Sequence, residues 1–346
     1  MIGIAVLGAG HWGPNLIRHF DNRHTSEVRW VVDRDHDRLE QVRRRFPDVT
    51  LGADADEAIA DPAVDAVVIA TPTSTHHALA RAALQHGKHV LVEKPLTADA
   101  GEGEELRRLA DEAGLVLMVG HVFLYNPGIE WIKRYFESGD LGTVYYISAV
   151  RTNLGPIRMD VNAAWDLTAH DVSIFNWWLD GEPETVSAVA GTWINPGVED
   201  AVFATLEYPG GVMANLHVSW LNPRKARDIT VVGEKRMLTW DDLSLTEPVR
   251  IYDKGVTNER VRPGFIDSFA SFRASVRDGD ITIPKVSGGE PLQTECAEFV
   301  QCVLTGERPR TDAGVGLGVV RTLAAIDRSI AVGGAREAVA AAEVGA

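Results

Sequence analysis

The first 120 residues alternate short apolar runs with longer amphipathic stretches, and few folds admit that rhythm. Apolar runs lie at 2–7, 28–32, 64–70, 89–92 and 115–119; helical patterns lie near 15–20, 37–46, 76–85 and 102–113. A strand that is apolar at every position must be covered on both faces. Strand–helix alternation supplies that cover, so the pattern predicts a doubly wound parallel sheet. After Gly120 the texture changes. A helix is expected over 127–138, a strand over 144–151, and a helix ending at Gly181, with the Gly/Pro/Asn-rich stretch "NLGPIRMDVNAAW" before it. From 185 to 240 period-2 strands dominate, and "YPGG" at 208–211 reads as a hairpin turn. Helical periodicity returns over 291–335, and the alanine-rich tail 336–346 is expected to fray. The expected division is therefore an α/β domain at 1–120 and an α+β domain with a mainly antiparallel sheet at 121–346. The C-terminal helices are free to pack back on the first domain.

Charge narrows the function classes. Lys and Arg number 34 against 49 Asp and Glu, a formal charge of −15. Such a surface repels phosphate backbones and argues against nucleic acid as a partner. No apolar run nears the ~18 residues of a membrane span. The first strand begins at residue 2, which leaves no room for a signal peptide. The two cysteines, Cys296 and Cys302, lie six apart on different faces of a helical pattern, which predicts neither a disulfide nor a metal pair. Low cysteine use fits a cytoplasmic protein.

"GAGHWG" places Gly8, Gly10 and Gly13 after the first strand and at a helix start. One glycine makes the tight turn, the second admits a diphosphate to the backbone, and the third lets helix and strand pack closely. The helix N-terminus offers unpaired N–H groups to the phosphates, and Pro14 suits its first turn. His11 and Trp12 lie inside the same turn and count with it as cofactor positions. Asp33 closes the second strand and can accept hydrogen bonds from both ribose hydroxyls, which favours NAD over NADP. Arg34 beside it softens that preference and keeps NADP open. A glycine turn without ligand is the other reading.

In such a sheet, ligands sit beyond the carboxyl ends of the strands. There stand Thr71, Thr73 and His76 in "ATPTSTHH", Glu93, Lys94 and Pro95 in "VEKPLT", and His121. Thr73 or Ser74 can instead cap the next helix, and His77 reads as solvent-exposed. Lys94 is either a surface lysine that follows a strand or a cation held against a substrate oxygen. Glu93 and Pro95, which fix the local backbone, favour the second. Further on, Asp166 and His170 are four apart, which puts them on one helical face. An acid beside an imidazole orients it as a proton acceptor. A helix cap by Asp166 with a space-filling His170 is the alternative, and Asp171 serves either arrangement. The histidines show no metal-ligand spacing, so no metal is expected.

Together "GAGHWG", "ATPTSTH", "VEKPLT" and the Asp-x3-His segment resemble the Gfo/Idh/MocA oxidoreductase family over nearly the whole chain. The resemblance implies a Rossmann domain plus an α+β domain whose large open sheet mediates homodimers or homotetramers. It implies a cis Lys94–Pro95 peptide that aims the lysine into the crevice between domains. Lys94, Asp166 and His170 match the family's catalytic positions. Gly8, Gly10, Gly13, Asp33, Thr71, His76 and Glu93 match its cofactor positions. "LGPIRMDVNAAWDLTAHDVSI" resembles the branch that oxidises C3 of nucleotide-linked hexoses or reduces their 3-keto forms. That substrate carries a diphosphate, so basic side chains are needed. Arg151, Arg158, Asn162 and Lys225 are the expected substrate contacts, with Arg224 and Arg227 as further candidates. Each cation can equally be solvated surface charge. An inositol or free-sugar dehydrogenase, an NAD-dependent glycosidase and a non-catalytic cofactor sensor remain the alternatives.

Overall fold

The computed structural model describes residues 1–21, 24–155, 157–158, 161–256 and 276–339. Among them, six strands form one parallel sheet: β1 (Ile2–Leu7), β2 (Ser26–Val32), β3 (Thr50–Gly52), β4 (Ala66–Ile69), β5 (His89–Glu93) and β6 (Leu117–Gly120), in the order β3-β2-β1-β4-β5-β6. The interleaved helices are α1 (Gly13–Phe20), α2 (His36–Arg45), α3 (Ala55–Ala60), α4 (His76–Gln85) and α5 (Ala100–Ala113). All six residues of β1 and all four of β4 are buried, as unbroken apolar strands require. One face of this sheet, with Ile4, Val6, Val68 and Leu91, packs into a core with Leu16, Ile17, Phe20 and Phe299. The Phe20 and Phe299 rings meet edge-on with centroids 6.0 Å apart. Each such fully buried side chain contributes roughly 1.5–3 kcal/mol. β3 and α3 have no counterpart in the pattern read from sequence. β3 is a three-residue edge strand without an apolar run.

The second sheet is mixed. Its strands are β7 (Val144–Leu154), β8 (Thr185–Gly191), β9 (Ala201–Glu207), β10 (Met213–Ser219), β11 (Leu221–Gly233), β12 (Met237–Asp241), β13 (Val249–Val256), β14 (Val276–Thr282) and β15 (Glu337–Ala338). Their order is β14-β13-β12-β11-β7-β10-β9-β8-β15, antiparallel throughout except for the β7–β10 pair. The "YPGG" turn joins β9 to β10 as expected: the Tyr208 N–H donates to the Val212 carbonyl at 2.8 Å, and Gly210 and Gly211 sit at positive φ. α6 (Pro127–Glu137) and α7 (Ala169–Leu179) fall where the periodicity put them, and α8 (Pro291–Thr305) and α9 (Ala313–Ala331) follow the sheet. Alternation along the strands buries Ile147, Ala188, Ala204, Leu216 and Ile229. Alternate positions leave Tyr146, Val189, Phe203 and Met213 exposed. The first residues of the alanine-rich tail form β15 on β8. Residues 340–346 lie outside the described residues.

The chain divides into two compact units. The first holds Met1–Tyr125 and Gly289–Ala324, and the second holds Asn126–Gly288 and Ala325–Val339. Among the described residues, no helix is long and apolar enough to cross a membrane. Cys296 and Cys302 are free, and both are buried.

Candidate active site

In the first unit the glycine turn leaves β1 and enters α1. Gly8 adopts φ +100°, and a β-carbon there would lie 2.5 Å from the Ala70 carbonyl oxygen. At Gly13 a β-carbon would lie 2.2 Å from the Gly8 carbonyl oxygen, so the turn closes on itself only with glycine. Gly10 differs: its nearest neighbour is the end of the Arg38 side chain at 3.6 Å. The cradle is therefore tight at its two ends and approachable in its middle, as a dinucleotide diphosphate needs. Gly13→Ala should cost about 1–3 kcal/mol through overpacking against fixed backbone. A denaturant titration with and without NAD checks this; an unchanged midpoint refutes it.

Asp33 ends β2 within reach of the same turn. Its Oδ2 accepts the Ala9 N–H at 2.7 Å and its Oδ1 accepts the Asp35 N–H at 2.9 Å. Each oxygen keeps a lone pair for a ribose hydroxyl. Arg34 is exposed. The guanidinium nearest Asp33 belongs instead to Arg38, at 3.6 Å, a residue the sequence reading passed over. Its signal was available: Arg38 stands on the first turn of α2, three residues after the Asp35 cap.

The carboxyl ends of β4 and β5 carry the remaining groups. The Lys94–Pro95 peptide is cis. His76 was expected to face a cofactor. It is instead buried, with Nδ1 2.9 Å from the Pro95 carbonyl oxygen and Nε2 3.0 Å from that of Thr71. It thus ties the end of β4 to the turn that carries Lys94. The Thr71 hydroxyl meets that of Thr75 at 2.7 Å. Neither Thr73 nor Ser74 caps α4; the cap position is Thr75, whose hydroxyl donates to the Pro72 carbonyl. His77 is not free in solvent but packs on α5, 2.9 Å from Glu105. Glu93 and Lys94 are half-buried. Burial pushes the Glu93 carboxyl up to about 7, against the pull of the Lys94 charge. His121 is wholly buried, and desolvation pushes it down to about 3, so it stands neutral.

The second unit holds a separate polar cluster. Asp166 lies in a π-helical turn, Ala164–Thr168, that runs into α7, where His170 is the second residue. The connection is wider than the plain α-helical spacing read from sequence, and such turns recur at functional sites. The Asp166 Oδ2 accepts from Trp220 Nε1 and its Oδ1 from Arg158 Nη1, both at 3.1 Å. Asn162, expected to touch substrate, serves this turn. Its Oδ1 accepts the Trp165 N–H at 3.0 Å, while its amide donates to Glu199 and Asp327. Arg151 also departs from expectation. It is buried and bidentate on Asp171, Nε at 2.9 Å and Nη2 at 2.7 Å, and so holds β7 to α7 rather than offering its charge to a ligand. Arg227 pairs with Asp242 at 2.8 Å. Arg224 and Lys225 are exposed, in the irregular stretch of β11 between Leu221 and Ala226. No cluster of His, Cys, Asp or Glu among the described residues could hold a metal ion.

Comparison with known proteins supplies the rest. A model of the oxidoreductase family with an NAD-binding Rossmann fold matches residues 2–121, and the GFO/IDH/MocA C-terminal domain matches 129–239. The chain is 32% identical over 268 residues to UDP-N-acetylglucosamine 3-dehydrogenase of Acidithiobacillus ferrooxidans, covering 76% of this chain and 80% of that protein. It is 32% identical over 341 residues to inositol 2-dehydrogenase of Rhodococcus jostii, covering 89% and 92%. The crystal structure of GenD2 from gentamicin A biosynthesis, in complex with NAD, superposes with a TM-score of 0.81 at 26% identity, covering 98% of this chain and 97% of that one.

Proposed function

The chain belongs to the GFO/IDH/MocA oxidoreductase family, and on that premise we propose that it is an NAD-dependent dehydrogenase or ketoreductase acting at C3 of a nucleotide-linked hexose. One observation carries the redox reading, and it lies wholly within the first unit. The glycine turn after β1 and Lys94 after β5 open at the same carboxyl edge of one parallel sheet, where β1 and β5 both flank β4. A dinucleotide over the glycines then has an ammonium group beside the end that reacts. The bound nicotinamide supplies the hydride acceptor or donor. Lys94 donates a hydrogen bond to the substrate oxygen and steadies the charge that builds there. His170 takes the hydroxyl proton during oxidation and returns it during reduction. Asp166 orients the imidazole.

The similarity to UDP-N-acetylglucosamine 3-dehydrogenase supports the nucleotide-sugar reading. The second reading, an inositol or free-sugar dehydrogenase, is favoured by charge. Arg151, Arg158 and Arg227 are each paired with a carboxylate, Asp171, Asp166 and Asp242, so these three arginines offer a diphosphate little uncommitted charge. Lys225 and Arg224 then carry the nucleotide contact. The exposed apolar positions Tyr146, Val189, Phe203 and Met213 would mediate the homo-oligomer.

Incubation with NAD and a panel of UDP-hexoses, inositols and aldoses, read at the reduced-nicotinamide absorbance, tests these readings. Signal with UDP-hexoses supports the first and signal with inositols the second. Silence across the panel, in both directions, overturns the redox assignment. Cofactor choice yields a further expectation. Asp33→Ser removes charged acceptors worth about 1.5–3 kcal/mol, so NAD affinity should fall roughly 10- to 100-fold. NADP should bind about as well or better, because Arg38 is released from Asp33. Calorimetric titration with both dinucleotides decides this; an unchanged NAD/NADP ratio contradicts the role of Asp33.

A further inference from the structure

Glu295, on α8 in the first unit, has 0% exposure, and neither carboxyl oxygen has a hydrogen-bond partner among the described residues. Three residues on, Glu298 shows what a satisfied carboxylate looks like in the same helix. It accepts the Arg310 N–H at 2.6 Å and the Tyr125 hydroxyl at 3.1 Å. An ionised carboxylate buried without partners costs far more than a neutral one. Glu295 interacts electrostatically with Glu93, whose Oε2 lies 3.3 Å from the Lys94 backbone nitrogen and would touch any β-carbon at Gly120. The ionisable groups linked to it or to its neighbours are Glu93 and Lys94 at β5, His121 and Tyr125 after β6, Cys296 and Glu298 on α8, Arg310, and Glu290 with Arg18 beside Cys296. Burial keeps His121 neutral, Tyr125 is pushed up, and Cys296 is pushed well up by burial and then by Glu295 and Glu93. Among the described residues, the cations in these interactions are Arg310, turned to the Leu124 carbonyl and Glu298, Arg18, paired with Glu290, and Lys94.

We propose that Glu295 is a positioning residue: it carries its proton in the folded protein and titrates together with the half-buried Glu93, so that Lys94 faces a single carboxylate charge. Two interacting carboxylates, one of them wholly buried, do not readily both ionise; the more exposed takes the charge and the buried one keeps the proton. Burial and the Glu93 charge both push the Glu295 carboxyl well up, which agrees with this placement. The inference rests on Lys94 acting on substrate as proposed above, yet most of its test needs no substrate.

The folded protein holds a proton on Glu295 that the unfolded chain releases above about 4.5. That contribution to stability is full below about 4.5 and declines as pH rises. Glutamine does not titrate, so the thermal midpoint of Glu295→Gln should climb relative to wild type between about pH 4.5 and 8. A protonated-carboxyl infrared band should be lost in the same variant. In Glu93→Gln, which removes the neighbouring charge, the band should titrate at lower pH than in wild type. In turnover, the pH dependence that the Glu93 charge imposes on Lys94 should move to lower pH in Glu295→Ala, which admits water, and return in Glu295→Gln. A Glu295→Gln midpoint that falls at neutral pH, or a band that titrates alike with and without Glu93, overturns the proposal. Should the thermal and infrared results hold while no substrate turns over, the redox reading has failed and this one has not.

Discussion

Lys94→Ala should lose about 10²- to 10³-fold in kcat/KM, the usual cost of removing one donor aimed at developing oxyanion charge. The fold should survive, because Lys94 is half-buried at a strand end and is not part of the apolar core. Its thermal midpoint is therefore expected within a few degrees of wild type. Lys94→Arg should not restore the rate, since a planar fork cannot replace a compact ammonium on a short reach. His170→Asn gives the companion result: loss of a general base, about 10²- to 10⁴-fold. The double variant separates two possibilities. If both groups serve one carbinol, the losses should be far from additive, as in other sites that act as a unit. Steady-state assays on whichever substrate the panel identifies, with thermal melts beside them, make the comparison. Full turnover in both single variants would falsify the assigned roles.

The sheet of the first unit was legible because its central strands are apolar at every position and alternate with helices, a pattern that a doubly covered parallel sheet explains and few other folds admit. Gly8 and Gly13 were legible for a related reason: each is fixed by a backbone contact that forbids any side chain. What the sequence hid falls into two kinds. β3 is three residues at a sheet edge, too short to carry a period. The polar cluster of the second unit was hidden because pairing across strands and helices is non-local. Arg151 and Asp171 are twenty residues apart on different elements, and only the folded register of β7 against α7 brings them together. A single arginine in a sequence looks the same whether it awaits a phosphate or already holds a carboxylate. His76 shows this too. Its place at a strand end suggested a ligand, but its two nitrogens face the Thr71 and Pro95 carbonyls. Glu295 left no signal at all: a glutamate in a helical pattern reads as surface until its burial is seen.

Asp171→Ala should be the most damaging substitution to stability in the second unit. The Arg151 and Asp171 side chains are 5% and 1% exposed, and their bidentate contact satisfies two of the guanidinium donors. Deleting the carboxylate takes the bidentate partner from a buried cation, at a cost of about 3–5 kcal/mol. For a unit of this size that lowers the melting midpoint by on the order of 10 °C. Asp166 and Asp242 also act on Arg151, but they are engaged by Arg158 and Arg227, so they offset little of the loss. The paired change Arg151→Met with Asp171→Leu should recover most of the stability, because it removes the charge along with its partner. Activity should not recover in parallel. Asp171 is the neighbour of His170 at the start of α7, and the ion pair is what pins that helix end to β7. The double variant is therefore expected to be stable but slow, with kcat more affected than NAD affinity, whose determinants lie in the first unit. Melting curves, NAD titration and kcat measured on the same three proteins test this. A stable double variant with wild-type kcat would show that the pair serves packing alone and that His170 takes its position from other contacts.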